Sequence, residues 1–479
     1  MKSIKWSITI FCCFLFFGCG EFLEEYTQDE RTAKLTSDYR EMVIYYSQLY
    51  SELNLFDFYS DDMELVQDGS LWGNDGTNST AYGTKWYFTW QPDVWENKNA
   101  YPGDTDPYKV IYNQLLGINS CLDGIDGAEG PEVERQTIKA QALALRAFYY
   151  FNLVNIYGEP YNHNKKALGV PLKTSGSIVT TIKRATVEDV YAQIIKDLTQ
   201  AITLFEKVEK TKDLFFNITS AQILLSRVYL YMEQWENAVA TATAAIASGD
   251  GLSNLCEEPY AKYMMMSKQE QALAKVPEVF TWGLSSHSEV EWRYGRGLDA
   301  AFSFYWVSDE LFDSYSEKDV RPLLWFPKRT ILKVTSHSKD WFYRAIRLSE
   351  AYLNRAEANA QLNNTADAIK DLNALRYKRI VNYIEVSSVN NLLNEVREER
   401  RKELCMENHR WFDLRRYGMP AISKKFQDNA DSDWMVYTLK EKDPAYTLPI
   451  PEYIIEENSA IEQNASRFLP ERTPSGSVN

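Results

Sequence analysis

Histidine is scarce in this 479-residue chain: His163, His287, His337 and His409 are all it has, and none belongs to an HExxH pair. Zinc-assisted hydrolysis on a helix therefore has no foundation. No GxSxG elbow is present to expose a serine nucleophile. GRGLDA at residues 295–300 formally fits a dinucleotide pattern, but it follows the charged EVEWRY where that fingerprint needs an apolar strand. The aspartate pairs Asp104/Asp106 and Asp431/Asp433 lie in turn-rich stretches, where aspartate serves the backbone. The expectation is a protein that is not an enzyme and that carries no cofactor and no metal. Cysteine is also sparse. Beyond Cys12, Cys13 and Cys19 the chain has Cys121, Cys256 and Cys405, an odd set too widely spread for a disulfide framework or a zinc site. Positive charge is short as well, with 52 Lys+Arg against 67 Asp+Glu and a net charge of −15. Outside one short helix there is no basic stretch, which excludes nucleic acid as a partner.

What is present begins with MKSIKWSITIFCCFLFFGCG. Lys2 and Lys5 precede an apolar run over residues 6–17, then Gly18 and Cys19, the layout of a secretory signal. The run is too short to cross a bilayer, which takes about 20 apolar residues, and no later segment approaches that length. The small residue before Cys19 resembles a bacterial lipobox, although Phe16 and Phe17 depart from its usual pattern. The expectation is a signal peptide over residues 1–18, with Cys19 lipidated as the first residue of the mature chain. Losing Lys2 and Lys5 makes that chain more acidic still. Aromatic residues are plentiful, at 14% of the sequence, with 13 Trp, 31 Tyr and 22 Phe.

Most of the remainder reads as helix. Ala221, Leu224, Leu225, Val228, Tyr229 and Met232 follow i, i+3, i+4, i+7 spacing, and Ala238, Ala242 and Ala245 form a small-residue stripe on the next helix. Leu225, Ser226, Tyr229, Trp235, Ala238 and Ala245 fall where a tetratricopeptide helix pair places its packing residues. The segment from Arg347 repeats this layout with Tyr352, Ala356 and Ala368 in register, but Arg355 stands at a usually apolar place. A third unit is split, its halves marked by Ala140, Leu143, Ala144, Ala147, Phe151 and Val154 and by Val190, Tyr191, Ile194, Leu198, Ala201 and Phe205. The expected helix pairs cover about 132–207, 218–248, 347–381 and 390–416, within one domain over residues 19–479. Two stretches, about 61–107 and 249–341, lack helical periodicity and read as long loop-rich insertions, of the kind that is usually functional. KWYFTW at residues 85–90 is a possible short strand in the first. The tail from about Asp428 is expected to wrap the outside of the helices. The basic segment at residues 397–416 alternates with Glu398, Glu399, Glu403 and Glu407, so i, i+4 pairing on a solvated helix explains it.

Four stretches, in order, carry a resemblance: LRAFYYFNLVNIYGEPY (145–161), RLSEAYLNRAEA (347–358), EVREERRKELCMENHRWFDLRRYG (395–418) and YTLPIPEYIIEENSAIEQN (446–464). Together with FLEEYTQDE just after Cys19, they resemble the SusD/RagB family over nearly the whole chain. The resemblance implies a predominantly α SusD-like fold of tetratricopeptide-like helix pairs. It also implies a lipid-anchored protein at the cell surface, on the outer membrane of Bacteroidota-type bacteria. Such a protein sits as a lid on a SusC-like TonB-dependent transporter and binds an oligosaccharide, or in some relatives a peptide, for nutrient import. A purely protein-interacting lid is the alternative. The motifs themselves read as scaffold, with Leu145, Phe148, Leu353 and Trp411 as core.

Ligand chemistry is expected from the rings in the two insertions. An indole or phenol can stack on the C–H face of a sugar while neighbouring polar groups bond its hydroxyls, and a rigid ring loses little entropy in doing so. The candidates are Trp72, Trp86, Trp90 and Trp95 in the first insertion, and Trp282, Trp292, Tyr294, Trp306 and Trp341 in the second. Polar partners would be Asn74, Asp75, Asn78, Asn97, Asn99, Arg293 and Arg296. The ligand positions of the family have no motif here, so none is carried over.

Overall fold

A computed structural model describes residues 33–47, 55–67, 78–97, 106–177, 182–211, 215–275, 287–296, 300–333 and 342–478. The chain is predominantly helical. Helix α1 (Thr36–Tyr46) lies against α2 (Pro107–Gly124), whose Asp106 cap accepts from the Lys109 amide at 3.0 Å. Gly117 and Gly124, two turns apart on α2, make this contact possible. A Cβ at either would strike the ring of Tyr46 or the phenol of Tyr39. Helix α3 (Glu132–Tyr157) is the hub: every residue from 140 to 151 is buried, Gln141 and Arg146 included, so this stretch is covered by other elements on all sides. Its partner α4 (Val187–Phe205) is amphipathic, with Val190, Tyr191, Ile194, Leu198, Ala201 and Phe205 buried as one stripe. Between the two, the Arg146 guanidinium grips Asp197 at 2.7 and 2.8 Å.

Helices α5 (Ile218–Tyr231) and α6 (Trp235–Ser248) form the next pair. Asn217 caps α5 by accepting from Ser220, and Ala238, Ala242 and Ala245 are fully buried, small enough to let the helices approach closely. The same arrangement recurs in α7 (Leu348–Gln361) and α8 (Thr365–Tyr377), stacked on α6 through α7. Here Arg355 is tolerated at its usually apolar place because Asp371 meets it at 2.7 and 2.8 Å. Helices α9 (Leu392–Leu404) and α10 (Arg410–Arg416) complete the scaffold.

The insertions contain short strands. β1 (Met63–Leu65) pairs antiparallel with β3 (Tyr305–Val307), so the two insertions are joined. β2 (Val290–Arg296) pairs with β4 (Phe342–Arg347), which runs straight into α7. In the tail, β5 (Ile422–Phe426), β6 (Trp434–Leu439) and β7 (Gly476–Val478) make a sheet. The tail also reaches the hub, where the Leu448 amide donates to the carbonyl of Ile156 at 3.0 Å.

Two expectations are corrected. KWYFTW is not a strand. Asn78 caps a short helix at Ser79–Gly83, a second follows at Lys85–Phe88, and Trp90 turns the chain with a positive φ of 55°. The basic segment is not a solvated helix either. Glu399, Arg400, Arg401, Glu403, Glu407, Arg415 and Arg416 are all buried, and nearly all of their charged partners come from distant parts of the chain.

Candidate functional site

The joined insertions are held to the scaffold by that segment. Glu403, fully buried on α9, sits at the centre of a cluster of cations. Arg379 approaches it at 2.9–3.2 Å and Arg321 at 3.0 Å, and Arg347 pairs with it as well. Arg347 and Arg379 also meet Glu289, Arg321 reaches Asp319 and Glu399, and Lys333 joins Glu407 at 2.6 Å. Burial alone would raise the Glu399 carboxyl, but Arg321 and Arg376 outweigh it and hold the group at about 2. Glu289, Asp319, Arg321 and Lys333 all belong to the second insertion.

The first insertion is anchored by the next residues along. Arg401 donates to Asp62 at 2.8 Å, and Arg410 makes two 2.7 Å bonds to Asp61. The two acids diverge. Burial pushes Asp62 up to about 6 against the opposing charge of Arg401, whereas Arg410 and Arg401 overcome burial at Asp61 and hold it well below the usual range. Each insertion thus contributes carboxylates, and the second also cations, to one buried bracket.

On this bracket the candidate rings fall into two groups. Trp90, Trp292 and Tyr294 are corrected from ligand contacts to core. Trp90 is 1% exposed, donates its indole N–H to the Tyr59 carbonyl at 3.0 Å and lies under the Lys424 ammonium at 4.7 Å. Trp292, also 1% exposed, stacks between Phe216 and Tyr294 at 4.1 and 5.0 Å, with Phe148 edge-on. A ring covered on both faces has none left for a ligand. Trp95 is half-buried and tied to the tail, donating to the Pro449 carbonyl at 2.7 Å.

Trp86 and Trp306 keep exposed surface. Trp86 is half-buried and meets Tyr82 edge-on at 5.3 Å; Tyr82 is itself 39% exposed. Beside them Lys85 pairs with Asp428 at 2.7 Å. Trp306 points away from the core on β3, between buried Tyr305 and Val307, with the Arg329 guanidinium 5.2 Å from its ring centre. Arg329 is fixed by Glu64 and Asp309. Each patch therefore combines a partly open ring with a charged pair able to donate and accept hydrogen bonds. The two insertions meet between them, where Thr84 and the Tyr305 hydroxyl lie 2.5 Å apart. Tyr82 was missed in the sequence. Its signal was the i, i+4 spacing to Trp86, masked by reading the stretch as loop and strand.

Among the polar candidates, Asn78 is spent as a helix cap and Asn97 donates to Asp93 at 3.3 Å. Arg293 is half-buried on β2, and Arg296 ends that strand. Cys19, Trp72, Trp282, Trp341, Asn74, Asp75 and Asn99 lie outside the described residues. A separate cleft of about 700 Å³ runs along α1, lined by Leu35, Met42, Tyr45 and Glu129, with none of the predicted residues in it. No group of three or more His, Cys, Asp or Glu side chains among the described residues could hold a metal ion. No helix among them is long and apolar enough to cross a membrane.

Comparisons with known proteins bear on the family and the fold. Residues 328–466 match a family model described as the SusD family, and residues 27–230 match one described as starch-binding associating with outer membrane. A SusD-like protein of Formosa agariphila is 24% identical over 257 residues, which cover 49% of this chain and 44% of that relative. A solved SusD superfamily structure from Bacteroides thetaiotaomicron aligns over 90% of this chain and 99% of its own, at 22% identity and a TM-score of 0.67. A laminarin-binding SusD-like protein aligns over 90% and 99%, at 20% identity and a TM-score of 0.58. At these identities the solved structures establish the fold.

Proposed function

Because the chain belongs to the SusD/RagB family, we propose that it is a non-catalytic, cell-surface glycan-binding lipoprotein. In this reading it is anchored to the outer membrane through Cys19 and passes captured oligosaccharides to a SusC-like TonB-dependent transporter. One observation carries the glycan reading. The two ring-rich insertions are joined by β1–β3 and keep Trp86 with Tyr82, and Trp306, partly open beside fixed charged pairs. Stacking on a ring with flanking hydrogen bonds suits a sugar, and the rigid bracket beneath lowers the ordering cost of binding. The laminarin-binding relative and the family description point to the same ligand class. Trp72, Trp282 and Trp341 remain proposed contacts by their place in the same insertions.

Native affinity gels cast with a panel of polysaccharides test this. The wild-type chain is expected to be retarded by at least one glycan, and Trp86→Ala and Trp306→Ala each to weaken that retention about tenfold or more. Retention unchanged in both variants would overturn the assignment of these rings. Co-purification with a transporter but retention on no glycan would favour a peptide-binding or purely gating lid.

A further inference from the structure

The helix pairs hold a second feature, on elements that carry none of the aromatic patches. Between α6, α7 and α8 opens a cleft of about 250 Å³. It lies where Arg355 interrupts the apolar pattern of the repeat. The guanidinium is held rigidly, with Nε and one terminal nitrogen on the two oxygens of Asp371 and the other terminal nitrogen 3.1 Å from the Thr243 hydroxyl. Three of its N–H groups are thereby engaged, and the others are available to a ligand. Asn359, 3% exposed, accepts from the Asn364 amide at 3.2 Å. Its own amide donor has no partner among the described residues, yet the nitrogen is not sealed from the cleft. Lys370 is exposed at the mouth.

The lining selects a ligand class. Arg355 and Asp371 neutralise each other, and Lys370 is balanced by Asp367, so no net field favours an ion. No ring lines the cleft and Val239 is its one aliphatic side chain, so an apolar ligand would find little to pack on. What it offers is a fixed array of planar amide, carboxylate and guanidinium edges, which suits adjacent hydroxyls that each donate and accept. Its volume lies below the roughly 300 Å³ at which pockets for drug-sized ligands begin, enough for one ring and not a chain. We propose that this cleft is a second binding site, taking a single neutral sugar ring by hydrogen bonds alone. Arg355, Asn359 and Asn364 are its principal contacts, and Thr243 and Asp371 fix the guanidinium.

Saturation-transfer difference NMR tests this on the mature chain carrying Trp86→Ala and Trp306→Ala, with the wild-type chain in parallel. The probes are methyl glycosides of glucose, galactose, mannose and N-acetylglucosamine, with glucuronate and glucosamine as charged controls. At least one neutral glycoside is expected to give saturable transfer in both chains, with a dissociation constant on the order of millimolar, as hydrogen bonds without stacking allow. Thr243→Phe, at an exposed position where a bulky ring fills the cleft, is expected to weaken it about tenfold or more, and Asn364→Ala to weaken it severalfold. Circular dichroism checks that both remain folded. Absence of saturable transfer from every neutral glycoside, tighter binding of a charged control, or binding that survives Thr243→Phe would each overturn the proposal. The aromatic patches are judged separately by the affinity gels, so either site can fail alone.

Discussion

Trp292 and Trp86 bring the same side chain into opposite surroundings. Trp292 has rings against both faces, and Trp86 keeps part of its surface open beside Tyr82. Trp292→Ala is expected to cost about 3–5 kcal/mol in urea unfolding, as truncating a fully buried aromatic does. Trp86→Ala should cost within about 1 kcal/mol and register in ligand retention instead. The sequence could not separate these rings, because nothing local distinguishes them. Trp292 is core because Phe216, 76 positions earlier, comes to lie against it. Arg355 was legible in a different way: as a charge in an apolar register it asked for a partner, and Asp371, on the second helix of the same pair, supplies one.

At the scale of elements, the helix pairs were readable because their signal is local, a stripe at i, i+3, i+4 that any window of the sequence displays. The segment at 397–416 defeated the same method. Alternating Arg and Glu fits both a solvated helix with i, i+4 pairs and a buried bracket, and the choice rests on acids and bases that arrive from residues 57–62, 289, 319–333 and 347–379. The energetic difference is large. Removing one member of a buried set leaves uncompensated charge, so Arg347→Met is expected to destabilise by about 3–5 kcal/mol through Glu289, Glu403 and Glu407. Lys166→Ala, which breaks only a surface pair with Glu188, should change stability by less than about 1 kcal/mol. Thermal denaturation of the two variants side by side checks the contrast.

For the molecule as a whole, the bracket sets a pH profile. Arg416, aided by Arg397, outweighs burial at Glu357 and holds it at about 2, the level of Glu399. A carboxyl depressed in the folded state binds its proton more readily once unfolded. Its stabilisation is complete above about pH 4.5 and is lost as the pH falls toward 2. Asp62 runs the other way: raised to about 6, it adds stability as the pH drops through 6 toward its usual range. Burial holds the His409 imidazole and the Lys424 ammonium well below their usual ranges, and both oppose that gain as the pH falls, so the Asp62 contribution shows as a difference between variants while the thermal midpoint falls steeply below about 4.5. The midpoint of the wild-type chain relative to Asp62→Asn is expected to rise as the pH drops from 7.5 to about 5, and Glu357→Gln is expected to soften the acid fall. A difference between the two chains that stays constant from pH 7.5 to 5 would contradict the assignment at Asp62.

The bracket also orders events in time. Arg401 and Arg410 lie some 340 positions after the aspartates they neutralise. A chain that emerges from its N-terminus must carry Asp57, Asp61, Asp62 and Glu289 without most of their basic partners until its last quarter has appeared. Contacts this distant in sequence are slow to close, because loop entropy must be overcome before they form. The helix pairs, built from neighbours, can assemble as they emerge, whereas the joined insertions settle last. The half-made protein therefore has a scaffold before its two insertions are joined, and the two aromatic patches take shape only once residues 397–416 have arrived to fasten them.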